Sequence, residues 1–236
     1  MSIKKFRYLA LVAVVAMLGT TSCLKDPTPS TPDYSSAVAF VLASPTGDSL
    51  DIYDGSTKLT GNGSIITPSS RLNVGYFDPG SHLISFKTST GAPYPAESSF
   101  ALNLDSTKNI YTVFMYDNPA KSIYFKEDFS DLSTTKANIR FYNLCQDMPA
   151  VDLYIGSTMI GSATYPESLS EMSRPFTEID AAYGNLTVNL AGTDSLVARI
   201  VGVQMGAGYV SNIILTGKVG GTGNTAVKLY NMSYSN

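Results

Sequence analysis

From residue 38 onward the chain is a series of short apolar runs separated by clusters of Gly, Pro, Asn and Asp. In the first half the runs fall at 38–43, 50–53, 72–76, 83–86, 100–104, 110–116 and 123–125, with turn residues such as Pro45-Thr46-Gly47, Gly61-Asn62-Gly63 and Asp78-Pro79-Gly80 between them. β-Branched and aromatic residues in runs of that length, with turns at roughly 8–15-residue spacing, predict the strands of a two-sheet sandwich. The second half repeats the pattern at 139–144, 151–155, 175–179, 186–190, 196–203, 209–215 and 227–230. In 184–190, GNLTVNL, apolar and polar residues alternate strictly, the mark of a half-buried strand. No stretch keeps a helical period over several turns.

The two halves also match residue by residue. The stretch 38–59, VAFVLASPTGDSLDIYDGSTKL, returns without a gap at 139–160 as IRFYNLCQDMPAVDLYIGSTMI. Phe40 meets Phe141, Asp51 meets Asp152, Tyr53 meets Tyr154, and Gly55-Ser56-Thr57 meets Gly156-Ser157-Thr158. Such self-similarity predicts two copies of one folding unit. Further on, 80–86 aligns with 184–190 at an offset larger by three, so a small insertion lies within 162–174. The expected fold class is all-β: two tandem immunoglobulin-like β-sandwich domains, at 37–127 and 137–236, joined by a polar linker at 128–136. Each copy is long enough for a modest core without metal or disulfide staples.

The first 36 residues are of a different kind. Lys4, Lys5 and Arg7 precede an unbroken apolar run of 11 residues, 8–18. As a helix that run spans about 16 Å, half of a bilayer's hydrocarbon core, which suits a signal peptide at 1–22 and not a transmembrane anchor. Small residues follow and then Cys23. The arrangement resembles a bacterial lipoprotein signal, in which the acylated cysteine becomes the mature N-terminus, although Thr20 stands where that pattern favours Leu. The expected location is the cell envelope, anchored by lipid at Cys23, with the outer membrane as the expected site. Ordinary cleavage after Ser22, releasing a soluble secreted protein, is the alternative. Residues 24–36, LKDPTPSTPDYSS, read as an extended Pro-rich tether.

Composition narrows the classes of function. Without the signal peptide the chain keeps 13 basic against 19 acidic residues, a net of −6, with no basic run interleaved with aromatics. Nucleic acid is therefore excluded as an expected partner. Two cysteines, Cys23 and Cys145, make no disulfide framework, and the one histidine, His82, rules out a His-rich metal site.

Arg140-Phe141-Tyr142-Asn143 leading to Pro149-Ala150-Val151-Asp152-Leu153-Tyr154, and Ala43-Ser44-Pro45 leading to Asp51-Ile52-Tyr53-Asp54-Gly55, resemble the bacterial domain-of-unknown-function family 4397. The first copy departs with Ala39 where the family tends to a basic residue, and the second lacks the Asp before Gly156. The resemblance implies tandem sandwiches at the cell envelope. It brings no activity with it.

Candidate chemistry is sparse. Asp51 and Asp152 recur in both copies, and identical placement suits a scaffold carboxylate pinning a loop. With them Tyr53, Gly55, Tyr154 and Gly156 form the repeated structural motif. Asp48, Asp51 and Asp54 are weak candidates for a calcium ion, because the spacing is not that of an EF-hand and strand positions three apart face opposite ways. His82 reads as a hydrogen-bonded core histidine and Cys145 as a small buried apolar residue. Tyr94, Tyr116, Tyr165 and Tyr183 are candidates for stacking on sugars, though the chain has no Trp. No cofactor and no catalytic residue are expected. The expected function is a non-catalytic binding, adhesion or assembly module with an unidentified protein or glycan partner. The alternatives are a glycan-processing enzyme or its carbohydrate-binding subunit, and a structural subunit built by edge-strand pairing.

Overall fold

Strands form where the apolar runs predict them. The first half holds β1 (Ser36–Leu42), β2 (Leu50–Asp54), β3 (Thr57–Lys58), β4 (Ser70–Phe77), β5 (Gly80–Thr88), β6 (Ser99–Leu104), β7 (Ile110–Tyr116) and β8 (Lys121–Lys126). The second holds β9 (Ala137–Asn143), β10 (Val151–Ile155), β11 (Thr158–Ala163), β12 (Thr177–Ile179), β13 (Ala182–Leu190), β14 (Leu196–Met205), β15 (Val210–Thr216) and β16 (Lys228–Tyr234). A one-turn helix, α1 (Leu169–Met172), lies between β11 and β12. This computed structural model describes residues 35–44, 49–61, 70–94, 99–105, 108–116, 121–166 and 169–234. The signal peptide, Cys23, nearly all of the tether and Asp48 lie outside the described residues.

Each half therefore has one strand more than its seven apolar runs. The additional strands, β3 and β11, return from the turns at Gly55-Ser56 and Gly156-Ser157. Both glycines have left-handed backbone, at φ +55° and +58°, which a side chain resists and glycine adopts freely. Thr57 and Lys58 are exposed and polar, so β3 carries no apolar signature.

The strands form four sheets, ordered β4-β1-β7-β8, β3-β2-β5-β6, β12-β9-β15-β16 and β11-β10-β13-β14. Adding eight to every strand number in the first two orders yields the last two. In each half the first strand runs parallel to the seventh, β1 with β7 and β9 with β15. The register agrees as well: Ala39 lies opposite Thr112, and Arg140, at the matching place, lies opposite Asn212. The molecule is all-β, two immunoglobulin-like sandwiches.

Two cores fill the sandwiches. Val38, Phe40, Leu50, Ile52, Ile84, Phe86 and Leu102 pack the first, and Ile139, Phe141, Val151, Leu153, Leu186, Val188 and Ile213 the second. A third cluster belongs to neither. It joins Val41, Ala43, Phe114 and Phe125 to Tyr142, Leu144, Ile214 and Met232, with Met172 of α1 added. These residues point out of the β1 and β9 sheets on the faces away from the sandwich cores. The two sheets press together there, and β9 and β15 are buried at every position. The contact is built from matching positions. Val41 and Tyr142 hold the same place in their strands, and their register partners Phe114 and Ile214 do too. Matching positions on both sides of a contact define an isologous interface, here inside one chain.

Beside this cluster lies a buried polar group. Arg140 of β9 pairs with Glu127, the residue after β8, with side chains 3% and 0% exposed. Glu127 also accepts hydrogen bonds from Thr112 and, at 2.8 Å, from the Tyr234 hydroxyl. The Asn212 amide donates to Tyr234 at 2.7 Å and accepts from Arg140 Nε at 3.0 Å. The remaining Arg140 nitrogen donates to the Arg174 carbonyl at 3.2 Å, and the guanidinium lies 3.9 Å from the Phe176 ring centroid. Glu127 and Tyr234 occupy matching places, as do Thr112 and Asn212. One half thus supplies the anion and the other the cation.

Removing one member of such a pair leaves the other charge buried and unpaired. Glu127→Ala is expected to lower stability by about 3–5 kcal/mol, read as a reduced midpoint in equilibrium urea unfolding. Replacing both members together, Glu127→Met with Arg140→Leu, is expected to cost much less in the same assay.

Candidate functional site

The repeated carboxylates are parts of the scaffold. Asp51 is 5% exposed, accepts a hydrogen bond from Thr60 Oγ1 at 2.8 Å and pairs with Lys58 Nζ at 2.9 Å. Asp152 accepts from Ser162 Oγ at 2.5 Å and from the Gly192 amide at 2.9 Å. Those hydrogen bonds, Ser162 first and Gly192 second, hold its carboxyl below the usual range. Each carboxylate ties its strand to neighbouring chain. Tyr53 of the same motif lies with Lys87 Nζ 4.3 Å from its ring centroid, and Tyr154 is likewise half-buried.

Asp54 belongs to another arrangement. It receives His82 Nδ1 at 2.6 Å and the Leu83 amide at 3.2 Å, while His82 Nε2 meets the Asp78 carbonyl at 2.8 Å. Burial by itself lowers the pKa of His82. The Asp54 hydrogen bond, the Asp78 carbonyl and the charges of both carboxylates outweigh it, and the net shift is upward. With acceptors at both ring nitrogens the imidazolium is the favoured form. The ring also stands edge-on to Phe77, centroids 5.2 Å apart. Of the three aspartates considered for calcium, then, Asp51 faces Lys58 and Asp54 faces His82. Among the described residues no cluster of three or more His, Cys, Asp or Glu side chains is placed to hold a metal.

Cys145 is fully buried, and burial, followed by the charge of Asp147, pushes its thiol up to about 12. A thiol in that state is a poor nucleophile. The tyrosines considered for sugar stacking divide. Tyr94 is 2% exposed, with its hydroxyl 2.8 Å from Ser44 Oγ, and is a core residue. Tyr116 and Tyr165 lie against each other, centroids 6.4 Å apart. Tyr183 alone of the four is open to solvent, at 75% exposure.

Sequence reasoning passed over two clefts. They adjoin at Arg174, the first at the junction of the sandwiches and the second beside it on the second sandwich. The first, about 280 Å³, is lined by Lys126, Asp128, Asp131, Arg140, Arg174 and Phe176 among others. The second, about 250 Å³, is lined by Tyr142, Asn143, Thr164, Pro166, Glu171 and Arg174. Both are walled by the segment between β11 and β12, where the repeat offset grows. α1 plugs that segment into the interface: Met172 is fully buried, and its carbonyl accepts the Tyr142 hydroxyl at 2.6 Å. Arg174 lines both clefts, and its guanidinium lies 5.3 Å from the Tyr142 ring centroid.

His82 provides a test of the first sandwich. Its raised pKa means that the folded state holds the proton more tightly than the unfolded chain. The stabilisation is complete below the ordinary value of 6.5 and is lost as pH rises through the higher folded value. The stability gap between wild type and His82→Gln is expected to be widest below pH 6.5 and to shrink as pH rises above it, measured by urea unfolding across pH. For Cys145, alkylation by iodoacetamide at pH 8 is expected to be negligible in native protein and rapid in urea, followed by mass spectrometry.

Comparison with curated proteins finds no match. Among solved structures the chain is similar to CBMbc (family CBM26) from Eubacterium rectale Amy13K, solved in complex with maltoheptaose. The two share 11% identity over 86% of this chain and 97% of that one, with a TM-score of 0.24, a likeness too slight to bear on function. The model of the family described as Domain of unknown function (DUF4397) matches residues 36–154. That span covers the whole first sandwich and continues through β9 and most of β10, running past the end of one repeat. It takes in just over half of the 236 residues, and the chain belongs to the DUF4397 family.

Proposed function

We propose that the protein is a lipid-anchored component of the cell envelope, built by internal duplication, that works as a non-catalytic binding or assembly module. The observation that carries the reading is the state of its reactive side chains. Asp51, Asp152, Asp54, His82 and Cys145 are held by strand partners, a histidine–carboxylate pair or burial. General acid–base or nucleophilic work needs such groups beside a cavity with their reactive atoms presented to substrate. The two described clefts lie away from these groups, and their walls combine Arg140, Arg174, aromatic rings and small polar groups with Lys126 and the carboxylates Asp128, Asp131 and Glu171. That is the chemistry of recognition.

The anchor rests on the leader sequence. Lys4, Lys5 and Arg7, the apolar run at 8–18 and Cys23 supply the order that lipoprotein processing reads. Acyl chains at Cys23, each buried CH₂ contributing about 0.8 kcal/mol, make attachment stable once two or more are present. Duplication is supported by the matched strand orders and by the matching positions across the interface.

A structural role through strand addition is favoured by one feature. β14 is an edge strand of ten residues with Leu196 and Val201 open to solvent at 55% and 75% exposure. Exposed apolar edges template pairing.

Fractionation of cells carrying wild type or Cys23→Ala tests the anchor, with wild type expected in the membrane fraction and the variant released. Recovery of both with membranes would refute lipidation. Pull-down of wild type from intact envelope, with glycan arrays alongside, is expected to capture a partner. Sedimentation separates the two roles: oligomers that grow with concentration and vanish in Val201→Lys would favour strand addition.

A further inference from the structure

Arg140 and Arg174 meet at the same junction and differ in one respect. Every nitrogen of the Arg140 guanidinium has a partner, in Asn212, Glu127 and the Arg174 carbonyl. Arg174, half-buried, has none of that kind. Its guanidinium rests against Tyr142, and among the described residues no carboxylate lies within ion-pair distance of it. Glu171 acts on it only from longer range, and burial lowers its pKa from the ordinary arginine value. A half-buried guanidinium without a direct counter-charge keeps N–H donors for a solute, and arginine stays charged. Arg174 stands where an external anion can reach it, on the wall of a cleft of about 250 Å³.

We infer that this second cleft recognises an oxyanion on a small polar molecule, received by the guanidinium of Arg174. The five N–H donors of arginine form a planar fork that matches a carboxylate, sulfate or phosphate in two parallel hydrogen bonds. Two of the wall residues are held in place. The Tyr142 hydroxyl is held on the Met172 carbonyl at 2.6 Å. The Asn143 side chain donates to the Pro149 carbonyl at 3.2 Å and accepts from the Cys145 amide at 3.1 Å. A receptor ordered before binding loses little entropy on binding. Glu171 on the same wall disfavours a second negative charge, so a singly charged oxyanion, with a sugar acid as the probe, is preferred to a multiply charged anion. The inference rests on the binding-module reading and gives it a ligand class.

The test is calorimetric titration of the full chain with glucuronate, glucose, sodium sulfate and inorganic phosphate, each separately. Glucuronate is expected to bind and glucose not to, with sulfate and phosphate weaker than glucuronate. Binding of sulfate and phosphate alone would move the ligand from a sugar acid to a free anion and would overturn the stated preference. Arg174→Gln is expected to weaken glucuronate binding at least tenfold, and Arg174→Lys, which keeps the charge without the fork, to weaken it less. Glu171→Gln is expected to tighten sulfate and phosphate several-fold, an outcome that does not depend on whether the arginine variants fold. Failure of every oxyanion to bind folded wild type, unchanged affinity in folded Arg174→Gln, or no response to Glu171→Gln would overturn the inference. If wild type captures an envelope partner yet binds no oxyanion, this site falls and the binding-module reading stands. If it does neither, both fall.

Discussion

The structure depends on a charge pair that neither sandwich satisfies alone. Glu127 closes the first half and Arg140 sits in the second strand-rich run, both almost without solvent contact. Apolar surfaces attract without direction and tolerate sliding, whereas a buried carboxylate and guanidinium are satisfied in one arrangement. The apolar cluster around Phe114, Tyr142 and Ile214 supplies the attraction between the inner sheets. The Glu127–Arg140 pair, braced by Thr112, Asn212 and Tyr234, sets their orientation. Two like units with like faces would otherwise pack in more than one register. The asymmetric placement, Ala39 in one half where Arg140 stands in the other, leaves one pairing that buries no lone charge.

That arrangement also explains where the clefts lie. Two sheets in isologous contact bury their centres and leave polar margins. The segment between β11 and β12 inserts Met172 into the apolar contact and lays Glu171, Ser173, Arg174 and Phe176 along its rim. Arg140 draws the Arg174 carbonyl toward itself and lies over Phe176, so the same guanidinium that orders the interface orders the cleft wall. Interface and cleft walls share Arg140 and Tyr142; the first cleft takes lining from both sandwiches and the second from the second sandwich alone.

Much of the fold was legible as pattern. Apolar runs bounded by Gly, Pro and Asn mark most strands, and strict alternation in 184–190 identifies all but the first two residues of β13, a strand with one buried face. The third apolar cluster was not legible in the same way. A run such as Ile110–Tyr116, apolar on both faces, signals burial on both sides, but sequence alone does not say whether helix, sheet or a second copy covers the outer face. β3 and β11 escaped because hairpin returns at a sheet edge need no apolar residue. Arg140 was visible as a charge in an apolar strand, and such a charge requires a buried partner. Nothing in the spacing pointed to Glu127, thirteen residues earlier and on the other sandwich. Tyr94 misled for a similar reason: next to prolines it reads as a loop residue, yet its chain pairs back onto β5 and brings the ring into the core.

Where the polar residues go separates scaffold from surface. Asp51 and Asp152 recur at the same place and both hold a neighbouring segment, though by different partners: Lys58 and Thr60 in one half, Ser162 and Gly192 in the other. The position is the same in both halves and the partners differ, so what the halves share is the tie and not the particular partner. The junction shows the opposite. At matching places the halves carry Ala39 and Arg140, Thr112 and Asn212, Glu127 and Tyr234, residues whose chemistry is complementary and not alike. Complementary residues where the two sandwiches meet make a surface that neither has alone, and the first cleft opens on its rim.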